Sequence, residues 1–222
     1  MNRKFQTAFI HLPACLTAVA FTAISTVTGA DQGSHLKPTL RPASDRPVAQ
    51  DDFSKSELSG KWVVAKGTWT VTNGNLKGVE LASDKHPAVL TYRMPHTDSA
   101  VRLSFQLVGS KGFMLSYNHP KGHLFRLVVS ETQAIVQTDK NKKDPASKSV
   151  VIDKKPAVFE QGKWYTVLCE TRGDKVVVQF SNGVKLEGSN EALSTEKTGY
   201  RLVVKGAGVL FDDFSVLNAD PK

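Results

Sequence analysis

The sequence predicts an all-β protein, an antiparallel two-sheet β-sandwich. Three observations carry the prediction. Short apolar runs alternate with polar residues along nearly the whole chain. Gly, Asn-Gly and Lys-rich turns punctuate them at regular intervals. Finally, Asp51-Asp52-Phe53 near the start is matched by Val209-Leu-Phe-Asp-Asp-Phe-Ser-Val216 near the end, as when first and last strands of a sandwich meet. Period-two alternation with evenly spaced turn signals marks strands buried on one face, and regular short strands of that kind build sandwiches and barrels.

The 222-residue chain opens with a basic pair, Arg3 and Lys4, followed by an apolar run from Leu16 to Val27 and the small residues Thr28-Gly29-Ala30. That order is a secretory signal peptide over residues 1–30, with an apolar run too short to cross a bilayer. Export is the expected localisation, to the periplasm, the cell surface or the medium. Residues 31–50 hold Pro38, Pro42 and Pro47 among polar residues and read as a flexible lead-in. The domain is expected over residues 51–217, long enough for one full sandwich core, with a tail at 218–222.

Within the domain, Lys61-Trp-Val-Val-Ala65 and Thr68-Trp-Thr-Val-Thr72 are rich in aromatic and β-branched residues, and Asn73-Gly74 supplies a two-residue type I′ turn that pairs Val71 with Leu76. The stretch from Ala100 to Leu107 alternates strictly, placing Val101, Leu103, Phe105 and Leu107 on one side and Arg102, Ser104 and Gln106 on the other. Gly112–Tyr117, His123–Val129 and Ala134–Gln137 continue the pattern, with Phe113, Leu115, Phe125 and Leu127 expected in the core. Later strands are expected at Lys163–Glu170, Asp174–Phe180, Tyr200–Val204 and Val209–Val216. At Asn182-Gly183 a strict two-residue register would set Phe180 against Lys185, so a longer loop or a bulge is expected there. A single helical turn is expected around Asn190–Leu193.

Composition narrows the function classes. With Cys15 in the leader, Cys169 is the sole cysteine of the mature chain, which excludes an intrachain disulfide. It lies in an apolar run, as a buried inert thiol does. The net charge is +8, and loss of Arg3 and Lys4 with the leader brings it to about +6. The surplus gathers at Lys140-Asn-Lys-Lys143, Lys148 and Lys154-Lys155. These lysines lack interleaved aromatics, so they read as a solvated loop and not as a nucleic-acid site. Such a loop also attracts an anionic cell surface or an acidic polysaccharide.

The segments Asp52-Phe53, Trp62, Gly67-Thr-Trp-Thr-Val and Asn73-Gly-Asn-Leu-Lys-Gly78 resemble the opening of concanavalin A-like jelly-roll sandwiches, the lectin and glucanase class, of the 3-keto-disaccharide hydrolase type (domain of unknown function 1080). Gly162-Lys-Trp-Tyr-Thr-Val167 resembles the Gly-x-Trp strand of that superfamily, Asn182-Gly183 its late hairpin and Val209–Val216 its closing strand. The resemblance covers residues 51–217 and implies the jelly-roll fold and a hydrolase or lyase acting on 3-keto-glycosides. In the matching region, Gly112 to Val129, neither the Asn-Ser-Gly segment nor the Glu-x-Gln strand of the hydrolase group occurs, and the Glu-x-Asp-x-x-Glu strand of laminarinase-like sandwiches is missing too. Catalytic residues therefore do not carry over.

Read from the residues, the polar faces of three strands collect Arg102, Ser104, Gln106, Ser116, Asn118 and Arg126. If the strands are neighbours, these form one patch on a concave sheet. Planar amide and guanidinium groups suit the hydroxyl pattern of a sugar. Trp69 and Trp164 fall on apolar faces and are expected to pack inward. His119 and His123 flank a Pro-Lys-Gly turn without a third ligand, which argues against zinc. Asp51, Asp52, Asp212 and Asp213 gather where first and last strands meet, making Asp52 and Asp213 candidate ligands for a structural Ca2+. The acids Glu170 and Glu187 flank turns and read as ordinary surface charges. The expected function is recognition of a glycan or sugar derivative on the concave face. The hydrolase or lyase stands beside it, with a non-catalytic envelope scaffold or adhesion module as a third class.

Overall fold

Asn73 and Gly74 both adopt positive φ, 53° and 73°, and the chain reverses in those two residues with Thr72 opposite Asn75 and Val71 opposite Leu76. This is the type I′ geometry that an Asn-Gly pair favours. The computed structural model of the protein describes residues 35–42, 46–141 and 143–220. The expected signal peptide lies outside them.

In chain order the described residues form β1 (Ala49–Asp51), β2 (Trp62–Lys66), β3 (Thr68–Thr72), β4 (Asn75–Val79), β5 (Ala88–His96), β6 (Ser99–Leu107), β7 (Gly112–His119) and β8 (Gly122–Ser130). There follow β9 (Gln133–Thr138), β10 (Val151–Pro156), β11 (Trp164–Arg172), β12 (Lys175–Phe180), β13 (Lys185–Ser189), β14 (Lys197–Val204) and β15 (Val209–Ala219). Two short 3-10 turns, Ala82–Asp84 and Glu191–Ser194, are the helical elements among the described residues. The second starts where the sequence expects it, with the Asn190 side chain accepting the Ala192 N–H at 3.0 Å.

All strand pairs are antiparallel and they divide into two sheets. The first runs β13-β12-β11-β6-β15-β4-β3, with β1 added to β15. The second runs β10-β9-β8-β7-β14-β5-β2. First and last strands meet as expected: Ala49 lies opposite Val216 and Asp51 opposite Phe214. At the late hairpin Gln179 pairs with Lys185, leaving the five residues Phe180 to Val184 between them, with the Phe180 N–H donating to Val184 O at 2.9 Å.

Between the sheets lies one aromatic-rich core. Val101, Leu103, Phe105, Phe113, Leu115, Phe125 and Leu127 are all buried in it, as strict alternation requires. Phe105 joins both layers, with ring centroids 4.8 Å from Phe113 of the second sheet and 5.8 Å from Tyr165 of the first. Trp62 is buried against Tyr92 and Phe214. Trp69 is only half-buried, stacked on Phe211. Trp164 departs from expectation. It stands opposite Gln106 on the outer face, because its neighbour Tyr165 takes the inward position.

A short stretch of the lead-in packs against the first sheet instead of trailing from it. Leu36 covers Ala100, Leu168 and Leu217 on that sheet's outer face. The Glu170 carboxylate accepts the backbone N–H groups of Thr39, Leu40 and Arg41 at 2.7, 2.9 and 2.8 Å. Glu170 is therefore 1% exposed, not the surface charge its position beside a turn suggested.

Candidate functional site

The first correction concerns the expected patch. Arg102, Ser104 and Gln106 stand on β6 in the first sheet, whereas Ser116, Asn118 and Arg126 stand on β7 and β8 in the second. They do not form one surface. The reason is the link between β6 and β7. Its four residues look like a hairpin loop, but they carry the chain from one sheet to the other. Gly109 turns with φ 94°, and the Ser110 hydroxyl bonds to Lys205 O and Gly112 O at 2.6 Å each, fixing the crossing.

On the second sheet the register draws a straight polar row across five strands. Thr91 pairs with Arg201, Arg201 with Ser116, Ser116 with Arg126, and Arg126 with Gln137. Two arginines thus flank one serine, about 10 Å apart at their Cα atoms given ordinary strand spacing. Beside this row runs an apolar one, Val203–Met114–Val128–Ile135, half-buried along its length. Val203, Met114 and Val128 border a shallow depression of about 500 Å³ rimmed by Lys111 and Lys205.

Arg126 is held by Asp139, which follows β9, with Nη2 2.5 Å from the carboxylate, and by a 3.2 Å contact from Nη1 to the Met114 sulfur. Burial and the neighbouring Arg126 charge both push the Arg201 guanidinium below its ordinary range. Further along the same strands, a bulge at Tyr117–Asn118 sets Asn118 opposite His123. Two adjoining hollows open there. One, about 220 Å³, is lined by Arg126, Gln137, Asp139 and Ser149 together with His123 and Lys140. The other, about 200 Å³, shares His123 and Lys140 and adds His119, Lys121 and Lys143. Arg126 Nε, Asp139 Oδ2 and Asn118 Oδ1 are buried without a hydrogen-bond partner among the described residues.

Arg201 and Asp139 were missed from sequence. Arg201 alternates with Tyr200 and Leu202 and so must face outward, but its neighbours on β7 lie over eighty residues earlier. Only the fold brings them together.

The outer face of the first sheet has its own polar centre. Ser104 bonds to Thr166 at 3.0 Å and to Asp213 at 3.3 Å, and Gln106 donates to Gly162 O at 2.7 Å. Asp213 takes φ 51° at a bulge in β15, where β4 ends and β1 begins pairing. Burial, then the charges of Asp213 and Asp52, raise the Asp212 carboxyl to about 6. Asp213 is raised too, chiefly by burial. Asp52, the other candidate Ca2+ ligand, instead accepts the Ser54 N–H at 3.1 Å. Among the described residues no group of three or more His, Cys, Asp or Glu stands close enough to hold a metal ion.

No family model matches the chain, and no curated protein matches it in sequence. Solved structures do share its fold. The carbohydrate binding module CBM66 from Bacillus subtilis superposes with a TM-score of 0.59 at 14% identity, over 71% of this chain and 96% of that one. Porphyranase B from Zobellia galactanivorans gives 0.57 at 10% identity, over 78% and 93%. SCLam, a non-specific endo-beta-1,3(4)-glucanase of family GH16, gives 0.56 at 12% identity, over 79% and 92%. The described residues thus have the fold of an antiparallel two-sheet jelly-roll sandwich, as these structures do.

Proposed function

We propose that this protein is an exported carbohydrate-recognition sandwich that seats a glycan on the outer face of its second sheet. The observation that carries the reading is the row Thr91–Arg201–Ser116–Arg126–Gln137 lying beside the row Val203–Met114–Val128–Ile135. A pyranose ring presents hydroxyls at its edge and C–H groups on its faces. Paired polar and apolar rows match both, the guanidinium and amide groups offering bidentate contacts. The sandwich neighbours include a carbohydrate binding module and two enzymes named for action on polysaccharides, which supports a sugar partner. Export rests on the leader at residues 1–30.

Binding is favoured over hydrolysis on one further observation. Acid–base cleavage of a glycoside needs two carboxyl groups across the bond. Among the residues of the polar row and of the two hollows, Asp139 is the one carboxylate, and it is paired with Arg126. Those residues offer no second carboxylate to complete the acid–base pair of a conventional glycosidase.

A glycan array followed by isothermal titration tests the reading. Arg126→Ala is expected to weaken the best ligand roughly ten- to hundredfold, the loss of a charge-assisted hydrogen bond. Arg102→Ala, on the other sheet, is expected to leave binding unchanged. A normal affinity in Arg126→Ala, or a loss confined to Arg102→Ala, sinks the assignment.

A further inference from the structure

We infer that the glycan taken by this face is anionic, bearing sulfate ester or uronate groups, and that its charged substituents enter the hollows between the β7–β8 turn and the loop after β9. The inference rests on the sugar-binding reading above and adds the class of sugar.

The charge around the hollows is one-sided. Arg126, Lys121, Lys140 and Lys143 line them, with His119 and His123 between, against the single carboxylate of Asp139. That carboxylate is engaged by Arg126. Arg201 stands one strand beyond Ser116 and faces the same surface, so two guanidiniums share one acid. Like charges held together on a rigid sheet raise the local potential and draw in an anion. A neutral sugar would leave that repulsion unrelieved.

The neutral side chains of the larger hollow give the ligand its second character. Gln137 and Ser149 line it beside Arg126 and offer donors and acceptors for hydroxyl groups. A bare anion uses only the cations. A polyhydroxylated chain with charged substituents uses both sets. The lysines at 140 and 143 are exposed on their loop, where long side chains can follow the spacing of charges along a polymer.

The test is titration of the mature chain with four probes of similar length: a neutral β-1,3-glucan oligosaccharide, a sulfated galactan oligosaccharide, a polyuronate oligosaccharide and a single-stranded oligonucleotide. The sulfated or uronate probe is expected to bind at least about tenfold more tightly than the neutral one, with the advantage collapsing as salt rises from about 50 to 500 mM. A Lys140→Ala/Lys143→Ala variant should lose most of that advantage while its thermal melt stays unchanged. If the neutral glucan binds as tightly, at any salt, the charge assignment is wrong and the sugar-binding reading survives. If no saccharide binds, both fail. If the oligonucleotide equals the acidic sugars, the face is a general polyanion site and the saccharide assignment is overturned.

Discussion

The Leu40 backbone N–H donates to the Glu170 carboxylate at 2.9 Å, across 130 residues of sequence. Thr39 and Arg41 donate to the same carboxylate, Arg172 reaches Leu40 O at 2.7 Å, and Gln179 reaches Lys37 O at 2.8 Å. A buried carboxylate is costly unless its lone pairs are filled, and here backbone amides fill them. Pro38 and Pro42 keep this stretch out of regular structure, so the sheet supplies the partners its amides lack.

Glu170→Ala should therefore release the strap. Three amides lose their acceptor, and the expected cost is about 1.5–3 kcal/mol of stability. Hydrogen exchange at Thr39, Leu40 and Arg41 should become fast while the protection of β6 and β11 remains. Unchanged exchange at these amides would show that Glu170 does not hold the segment.

The core makes a sharper demand. Phe105 contacts Phe113, Phe159, Tyr165 and Phe180 across both sheets and is fully buried. Phe105→Ala should cost about 3–5 kcal/mol, from lost transfer energy and the cavity left behind. A urea melt reads it directly, and a loss under about 1 kcal/mol would contradict this packing.

These two residues also mark how far the sequence could be read. Phe105 was legible because period-two alternation is local, and every neighbour along the strand agrees on which side faces inward. The Asn73-Gly74 and Asn182-Gly183 turns were legible for the same reason. Glu170 was not, because nothing near it reveals that residues 39–41 return to cover it. The site shows the same divide. Alternation placed Arg102 and Arg126 outward correctly, but it says nothing of which sheet each strand joins. The short link from Val108 to Lys111 invited a hairpin and made a crossing. Arg201 completes the row only through the non-local pairing of β14 with β7.

Cys169 offers a direct probe of the inner layer. It is buried, and burial pushes its thiol up to about 12. At about pH 8 the native thiol should not react with a disulfide exchange reagent, since the thiolate is the nucleophile. In denaturant, labelling should follow global unfolding. Immediate labelling of the native protein would place Cys169 outside the core.

Two groups should give stability opposite dependences on acid. His96 is fully buried, stacked on Tyr200 at 4.8 Å, with Nδ1 2.7 Å from Met94 O and with Lys197 and Asp98 facing it. Burial lowers it to about 4 from an ordinary 6.5. Between those values the unfolded chain binds a proton that the folded chain refuses, so this contribution is lost as pH falls through the window. Asp212 behaves the other way. Its folded value of about 6 lies above the ordinary 3.8, raised by burial first and then by Asp213 and Asp52. Between those values the folded chain holds the extra proton, so acidification stabilises it. Asp212 is only half-buried, and solvent screening makes its slope the shallower of the two. Urea unfolding at about pH 7, 5.5 and 4.5 separates them. Relative to His96→Phe, the wild type should lose stability on acidification; relative to Asp212→Asn, it should gain. Slopes of the same sign, or two flat difference curves, would mean that one of these side chains does not occupy the environment described.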